Sequence, residues 1–367
     1  MKKINIHKGL IISLLLFFII SILTIKSAEE LIPYDNLMIK QLIWYLIGFL
    51  LIFLIIKIGN KNIYDKINIL YIIGNISLIG LFFVSPINNS RCWYQIKGIG
   101  TIQPSEFMKI ILILMLASCI KKFNDEHKNP TVLEEFKFLI KILFIVFIPS
   151  ILTFLEPDTG VVLIYLLITT IMLFISGIRY RWFIILFSLL FILTGSVLAI
   201  YFINTDLFIK IFGTSFFLRV DRLLSWSNSS GYQLENGLAS IGAGGLFGYG
   251  LNNTPIYFPE PQTDFIFAVY ANNFGFLGSM FLIGIILFFD IKLITIAKKN
   301  KNLMNKYVIS GIIGMLIYQQ FQNIGMTFGL MPITGITLPF ISYGGSSLLS
   351  YMLMMGIIFN ISKETIK

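Results

Sequence analysis

The chain has 367 residues, of which 56% are hydrophobic and only 13% are charged, and its mean hydropathy is +0.85. This composition excludes a water-soluble globule with a single apolar core and indicates a polytopic membrane protein. The formal net charge of +10 therefore bears on membrane orientation, and no nucleic-acid partner is expected.

Ten apolar runs in the sequence are each long enough to cross about 30 Å of hydrocarbon as a helix. They are residues 9–25, 37–58, 67–84, 104–120, 138–155, 160–176, 182–203, 265–289, 307–328 and 338–361. The chain is therefore predicted to be an all-α polytopic membrane protein with ten transmembrane helices, built as a single domain over residues 1–367. One long loop, residues 204–264, joins spans seven and eight.

Positive charges are unevenly distributed between the two sides of this topology. With the N-terminus in the cytoplasm, 20 of the 28 Lys and Arg residues lie in the inner segments. Because positive residues are retained on the cytoplasmic side, both termini are expected inside and the long loop outside. Cys92 and Cys119 fall at opposite ends of the fourth span, about 24 Å of helix apart. They are therefore predicted not to form a disulfide with each other.

Arg91 and Trp93 lie in the predicted outer loop before the fourth span, with Tyr94 beside them. An Arg next to aromatic residues is typical of a membrane-interface anchor, in which the cation snorkels towards water. The same residues could instead bind an anionic lipid headgroup. Both interpretations stay open at this point.

The fourth span opens with Pro104, which suits the first position of a helix. Glu106 falls in the first turn, where the helix dipole favours an anion, and Lys109 lies three residues further on the same face. Charges within a membrane helix are costly unless they pair or face a wet cavity. We expect this face to point into the bundle, either as a structural ion pair or as a functional site.

The turn after the fifth span reads Glu156-Pro157-Asp158-Thr159-Gly160. These residue types suit a turn followed by a helix N-cap. Two carboxylates that face outward would also suit a divalent cation with oxygen ligands. The turn is therefore predicted either to cap the sixth span or to contribute to a metal site.

The 204–264 loop contains many apolar residues and is not expected to be disordered, and loops of this length are usually functional. Arg219 and Arg222 would share a face if their stretch were helical. The centre of the loop carries seven glycines, Gly231, Gly237, Gly242, Gly244, Gly245, Gly248 and Gly250. Such backbone can approach a helix or a ligand closely, or present N–H groups to an anion. Glycine richness alone is a weak signal for phosphate.

The loop ends on Thr263 and Asp264, directly before the eighth span. Thr263 is predicted to cap that helix, with Asp264 in its first turn. Asp264 is then either a residue that matches the helix dipole or a catalytic carboxylate at the depth of a lipid headgroup. Pro332 and Pro339 interrupt the helical pattern between the last two spans, where broken helix either lines a cavity or permits close packing.

Five sequence blocks stand out, IQPSEFMKI at 102–110, EPDTG at 156–160, GYQLENGLASIGAGGLFGYG at 231–250, PEPQTDFIFAV at 259–269 and MPITGITLPFISYGGSS at 331–347. They resemble, in order and position, the signature motifs of the SEDS family (shape, elongation, division and sporulation), which contains RodA, FtsW and SpoVE. The resemblance covers essentially the whole chain. Two positions depart from it: Cys92 stands where many members carry a basic residue, and Asn272-Asn273 stand where many carry two glutamates.

The resemblance implies a ten-span fold and a peptidoglycan glycosyltransferase that polymerises lipid II for cell elongation or division. It places the reaction on the outer face of the bacterial cytoplasmic membrane, usually with a class B penicillin-binding transpeptidase as partner. Carried over by position, Asp264 matches the family's essential aspartate, Glu106 and Lys109 its QPSE-x-x-K block, Asp158 its PDxG block, and Gln233 and Ser342 two recurrent positions.

Polymerisation of lipid II inverts the anomeric centre and needs a base for the acceptor hydroxyl and positive charge on the departing diphosphate. Asp264 is the predicted base. A divalent cation, Mg²⁺ or Mn²⁺, held by Asp264 or Asp158, would supply positive charge. Further positive charge would come from Arg91, Lys109, Arg219 and Arg222. The alternatives are a lipid II transporter that forms no bond and a scaffold that recruits the transpeptidase.

Overall fold

The computed structural model describes residues 7–32, 36–86, 90–96, 100–225 and 231–365. The helices are α1 (Lys8–Glu29), α2 (Leu37–Ile58), α3 (Asn60–Asp65), α4 (Ile67–Gly80), α5 (Pro104–Glu126), α6 (Val132–Leu155), α7 (Thr159–Ile175), α8 (Tyr180–Ile203), α9 (Thr205–Phe212), α10 (Thr214–Ser225), α11 (Tyr232–Ala243), α12 (Ile266–Lys299), α13 (Leu303–Thr327) and α14 (Gly345–Thr365). A short 3₁₀ helix, Leu81–Phe83, follows α4. Strands β1 (Tyr94–Ile96) and β2 (Gly100–Ile102) form an antiparallel pair.

A helix covers most of each of the ten apolar runs predicted from the sequence. Six of them, α1, α2, α6, α8, α12 and α14, are long and apolar enough to cross a membrane, and two shorter apolar helices cover Ile67–Phe83 and Thr159–Ile175. Large apolar side chains such as Leu46 and Phe53 are exposed on the bundle surface, as expected where a helix faces lipid. The chain is therefore a helical, polytopic membrane protein.

The centre of the bundle is formed by α14, which packs along α2, and by α13, which packs against α5, α7 and α12. At the core, Phe17 of α1 stacks on Phe340 and meets Phe289 of α12 edge-on, with ring centroids 5.5 Å apart in both pairs. Such aromatic pairs stabilise helix contacts in lipid mainly through close packing. They join the first helix to the last third of the chain.

The last predicted span is shorter than its apolar run, because α14 begins at Gly345 and not near residue 338. Pro339 disfavours the helical conformation in the residue before it. Phe340 has a positive φ of 66°, and Ser342 Oγ accepts a hydrogen bond from the backbone N–H of Leu338 (2.8 Å). These features keep residues 338–344 out of the helix while they remain buried.

Helix α8 lies at the periphery, and none of its most apolar window is buried. At its start, Trp182 Nε1 donates to Glu135 Oε2 (2.7 Å), and Phe183 meets Phe174 of α7 with centroids 5.6 Å apart. Beyond its end, the 204–264 loop contains helices α9 to α11. The apolar residues of the loop thus form helices, and α9 and α10 pack together beside the end of α8.

The glycine-rich part of the loop packs against a break in α12. Gly275 has φ 63° and ψ −162°, which interrupts the helix. The backbone groups freed there are paired, because the N–H groups of Tyr249 and Gly250 donate to the carbonyls of Asn272 and Asn273 (2.9 and 3.0 Å). The glycines therefore permit close backbone approach to a helix, one of the two roles considered for them.

Gly248→Ala is expected to lower the free energy of unfolding by about 2–4 kcal/mol, through backbone strain and overpacking together. Gly248 has φ +82°, and a Cβ there would overlap the carbonyl of Asn273. Gly242→Ala is a matched control in α11, since a Cβ there meets no atom within 4 Å. Thermal unfolding in detergent should show a lower midpoint only for Gly248→Ala, and equal midpoints would contradict the packing argument.

Candidate active site

Asp264 lies in a tight turn immediately before α12. Glu260 has a positive φ of 52°, and its carbonyl accepts hydrogen bonds from the N–H groups of Thr263 (3.4 Å) and Phe265 (3.2 Å). Its Oε2 accepts from Gln262 Nε2 (3.0 Å) and from Thr263 Oγ1 (2.8 Å). One glutamate therefore holds the turn with both its main chain and its side chain.

The prediction that Thr263 caps the eighth span is wrong. The N-cap residue of α12 is Phe265, which makes no side-chain capping bond, and the hydroxyl of Thr263 is bonded to Glu260. Asp264 consequently lies two residues before the first helical residue, outside the first turn. This position does not support the interpretation that the only role of Asp264 is a favourable interaction with the dipole of α12.

The carboxylate of Asp264 makes no hydrogen bond or ion pair with any described residue, although it is half-buried. A Cβ on Gly335, in the non-helical segment before α14, would lie 3.7 Å from Asp264 Oδ2, so this segment lies close to the carboxylate. Burial and then the negative charge of Glu260 raise the pKa of Asp264 to about 7. A carboxyl group with a pKa near neutrality and free oxygens can accept a proton from a substrate.

The non-helical segment 331–344 is fixed around Asp264 by side chains from other elements. Asn323 Nδ2 of α13 donates to the carbonyls of Asp264 (2.9 Å) and Ile336 (2.8 Å). Ser342 Oγ donates to the carbonyl of Thr263 (2.7 Å). Irregular backbone of this kind at membrane depth is tolerated where protein groups satisfy it. Ser342 thus holds the turn that carries Asp264 in place.

Asp158 caps α7 on the other side of this segment. Its Oδ1 accepts from the N–H of Val161 (3.2 Å), and its Oδ2 accepts from Gln103 Nε2 (2.8 Å) and Ser105 Oγ (3.3 Å). Both oxygens are therefore engaged, which confirms the N-cap prediction. A Cβ on Gly160 would lie 2.9 Å from the carbonyl of Thr334, so the start of α7 and Asp264 flank the same short stretch.

Glu106 and Lys109 form a buried ion pair in α5, with 2.8 Å between Oε2 and Nζ and side chains 9% and 0% exposed. The Nζ atom of Lys109 also lies 5.5 Å from the ring centroid of Tyr351. The Tyr351 hydroxyl accepts from Gln319 Nε2 (2.9 Å) and lies 3.4 Å from Thr337 Oγ1. Polar contacts thus run from the ion pair to the segment beside Asp264.

Glu156 is the most deeply buried carboxylate in this region, with 1% of its surface exposed. Neither of its carboxylate oxygens has a hydrogen-bond partner among the described residues. Burial and the charge of Asp158 raise the pKa of Glu156 to about 8, so the group carries its proton at neutral pH. Its backbone carbonyl accepts from the thiol of Cys92 (2.8 Å), which places the 90–96 loop against this turn.

The other predicted site residues make no described contact with the Asp264 side chain, or have side chains outside the described residues. Arg91 is exposed and donates to the carbonyl of Phe82 (3.1 Å), Trp93 is half-buried, and Gln233 donates to the carbonyl of Pro259 (3.1 Å). Arg219 and Arg222 belong to α10, but their side chains lie outside the described residues. Both cysteines are free, as predicted.

Of the two carboxylates predicted to bind a metal ion, Asp264 and Asp158, only Asp264 has oxygens that bond to no described residue and are free to do so. Within the described residues no group of three or more His, Cys, Asp and Glu side chains could hold a metal ion. Asp264 offers unbonded oxygens, whereas those of Asp158 already accept hydrogen bonds. A Mg²⁺ ion commonly takes one or two carboxylates and fills its remaining positions with substrate phosphates and water. Asp264 therefore suits a metal ion whose other ligands are substrate phosphates and water, and not a site built from protein ligands alone.

Several residues that organise this region were not singled out from the sequence. Asn323 and Gln319 of α13 and Tyr351 of α14 connect the ion pair to the Asp264 turn, and Glu260 holds the turn itself. The available signal was the run Gln319-Gln320-Phe321-Gln322-Asn323, four amides in an apolar span. Polar side chains at membrane depth are costly and are usually bonded within the bundle.

Comparisons of the sequence with known proteins agree over nearly the whole chain. The family model FTSW_RODA_SPOVE, described as "Cell cycle protein", matches residues 3–367. A protein of Coxiella burnetii named "Probable peptidoglycan glycosyltransferase FtsW" is 34% identical over 344 residues, which cover 89% of this chain and 86% of the relative. "Stage V sporulation protein E" of Bacillus subtilis is 35% identical over 296 residues, or 75% of this chain and 72% of that protein.

Solved structures show the same fold. The rod shape determining protein RodA of Thermus thermophilus superposes with a TM-score of 0.70 at 24% identity, covering 99% of this chain and 98% of that one. A chain from a structure described as "Structural coordination of polymerization and crosslinking by a peptidoglycan synthase complex" gives a TM-score of 0.79, again at 24% identity, over 98% of both chains. These likenesses establish the arrangement of the helices.

Proposed function

Because the chain belongs to the FtsW, RodA and SpoVE family of cell cycle proteins, we propose that Asp264 is the general base of a peptidoglycan glycosyltransferase that polymerises lipid II. The observation that carries the assignment is the Asp264 carboxylate itself. It is half-buried and bonds to no described residue, and it is held in a turn by Glu260 and Ser342. The carboxylate of Glu156 likewise has no partner among the described residues, but it is only 1% exposed, whereas the half-buried Asp264 is open to a substrate.

In the proposed reaction, Asp264 accepts the proton of the 4-hydroxyl of the acceptor disaccharide. The resulting oxygen nucleophile attacks the anomeric carbon of the donor, and the bond from that carbon to undecaprenyl diphosphate breaks with inversion. A base positioned in this way typically contributes a factor of about 10²–10⁴ to the rate. The proton remains on Asp264 until product leaves, when solvent removes it.

The departing diphosphate needs positive charge in its vicinity. Lys109 supplies a fixed cation in a low-dielectric region, although its bond to Glu106 keeps it from contacting the substrate directly. Arg91, Arg219 and Arg222 are the candidates for direct contact with the diphosphate. Trp93 is close to Arg91 in the sequence, and Gln233 follows Arg222 in the 204–264 loop. Their roles are proposals from position in the chain.

A divalent cation would be shared between Asp264 and the substrate diphosphate, with Asp158 as a further ligand only after loss of its present hydrogen bonds. When bound, such an ion supplies charge neutralisation to the leaving group. We expect chelation to reduce glycan synthesis from purified lipid II by at least tenfold, and added Mn²⁺ or Mg²⁺ to restore it. The readout is glycan-chain length on a gel, with the detergent-solubilised protein and a candidate transpeptidase present.

Undiminished polymer in the presence of chelator would remove the cation from the proposal and leave Asp264 as base. Absence of polymer under every condition, together with headgroup movement across vesicles, would favour a transporter. The assay therefore separates bond formation from transport.

In the proposed topology all ten apolar helices cross the bacterial inner membrane. The excess of Lys and Arg in alternate connections supports cytoplasmic termini and an extracytoplasmic 204–264 segment. Asp264 then lies at the outer face, where the substrate headgroup is presented. Cysteine labelling of exposed positions such as Phe247 from outside intact cells tests this orientation.

A class B penicillin-binding transpeptidase is the proposed partner. Support comes from the fold shared with a chain in a structure described as a peptidoglycan synthase complex. Peripheral helix α8, which has no buried apolar window, offers surface for lipid or protein. The cognate partner is to be identified by co-purification.

A further inference from the structure

A groove on the bundle surface lies between α7, α12 and α13, with a volume of about 580 Å³. Its walls are apolar, formed by Leu167 and Ile171 of α7, Ile294 of α12, and Ile313 and Ile317 of α13. It is open on one side, where Ile317 is 44% exposed. In a membrane-embedded helix this open side faces lipid, so the groove is accessible to lipid chains.

The cationic end of the groove lies far from Asp264 along α12. It includes Lys298, which is separated from the first residue of α12 by about 48 Å of helix at 1.5 Å per residue. Along α13 the groove extends from Ser310 to Phe321, a rise of about 16 Å. This length is close to half of the roughly 30 Å hydrocarbon thickness of a bilayer. Lys298 lies beyond Ser310, beside the α12–α13 turn, so the groove runs from that turn to Phe321, two residues from Asn323.

Positive charge is concentrated at the same end of the groove. Lys298 lines it, and Lys299, Lys301 and Lys306 follow within the α12–α13 turn. None of these four lysines takes part in an ion pair with a described residue. A phosphate group at this position would supply the missing anions, because a lysine ammonium near the membrane surface attracts anionic headgroups.

We propose that this groove binds one anionic phospholipid of the inner leaflet, with an acyl chain along α13 and the headgroup phosphate at Lys298. The apolar walls match a hydrocarbon chain in length, and the lysine lies where such a chain would end in a headgroup. An apolar helix of a partner protein would leave the ammonium of Lys298 without an anion, whereas an anionic phospholipid supplies one.

Binding of phosphatidylglycerol to delipidated, full-length protein tests the proposal by native mass spectrometry. One molecule should bind in preference to phosphatidylcholine. Lys298→Gln is expected to weaken that binding at least fivefold. Lys299→Gln is the matched control, since it removes the same charge from a residue that does not line the groove, and it should weaken binding clearly less than Lys298→Gln does. Ser310→Phe, which fills the groove from α13, should abolish the bound species without removing a charge.

Equal binding of both phospholipids, or equal weakening by the two lysine variants, would overturn the site. Displacement of phosphatidylglycerol by an equal concentration of undecaprenyl phosphate would overturn the phospholipid assignment in favour of a polyprenyl ligand. A photoreactive residue at Ile317 in native membranes should form lipid adducts, and a protein adduct there would assign the groove to a partner helix. None of these readouts depends on glycan synthesis, so failure of this proposal is distinguishable from failure of the catalytic one.

Discussion

Asp264→Asn is expected to lower the rate of glycan polymerisation by about 10²–10⁴-fold, the usual contribution of a general base. The amide has nearly the shape of the carboxylate but cannot accept the proton of the acceptor hydroxyl. The side chain of Asp264 bonds to no described residue, and the turn is held by its backbone and by Glu260 and Ser342. The variant should therefore fold and insert as the wild type does.

The measurement is glycan formation from purified lipid II at saturating Mn²⁺ or Mg²⁺, alongside the thermal unfolding midpoint of each protein. Asp206→Asn is the matched control, because Asp206 is an exposed carboxylate in α9, between residues 204 and 264 like Asp264 itself. It should retain full activity. Substantial polymerisation by Asp264→Asn, with an unchanged unfolding midpoint, would show that another group takes the proton.

The pKa of Asp264 also predicts how the activity changes with pH. Burial and then the negative charge of Glu260 raise that pKa to about 7, so the fraction of Asp264 in the ionised form that can act as a base increases as pH rises through this range. Wild-type activity should increase as pH rises through about 7. The residual activity of Asp264→Asn should lack this dependence on pH.

Helix positions were predictable because a membrane span requires a continuous apolar run, and each run contains a helix. The ends were less predictable. Helix α12 continues past the predicted limit of 289 to Lys299, since polar residues tolerated outside the membrane extend the same helix. Helix α14 begins later than predicted, because the Ser342 hydroxyl accepts from the N–H of Leu338 and donates to the carbonyl of Thr263. The contact with Thr263 joins residues far apart in the chain, so the local sequence does not indicate it.

The candidate site was predictable in part. Glu106 and Lys109 are three residues apart on one helix, so their pairing follows from helix geometry. The capping role of Asp158 likewise depends on its immediate neighbours. In contrast, the approach of Gly335 to Asp264 and the bridging amide of Asn323 join residues 59 to 71 positions apart in the chain. Contacts of that kind depend on how helices pack, which composition and periodicity do not specify.

Breaking the buried ion pair is expected to be the most destabilising change. Lys109→Met leaves the Glu106 carboxylate buried without its cation, and Glu106→Gln does the same to the Lys109 ammonium. Removing one partner of a buried pair typically costs about 3–5 kcal/mol, because the remaining charge is desolvated and uncompensated. Each single variant should show a markedly lower unfolding midpoint in detergent than the wild type.

The double variant Glu106→Gln, Lys109→Met separates the structural role of the pair from its role in the reaction. It leaves no unpaired charge, and replacement of a whole buried pair by neutral groups is often nearly neutral for stability, so the unfolding midpoint should recover. If the pair serves the reaction as proposed, activity should stay at least about tenfold below wild type, because the cation proposed to stabilise the departing diphosphate is lost. Recovery of both stability and activity would assign Glu106 and Lys109 to folding alone. Loss of activity with restored stability would show that the ion pair contributes to the reaction as well as to folding.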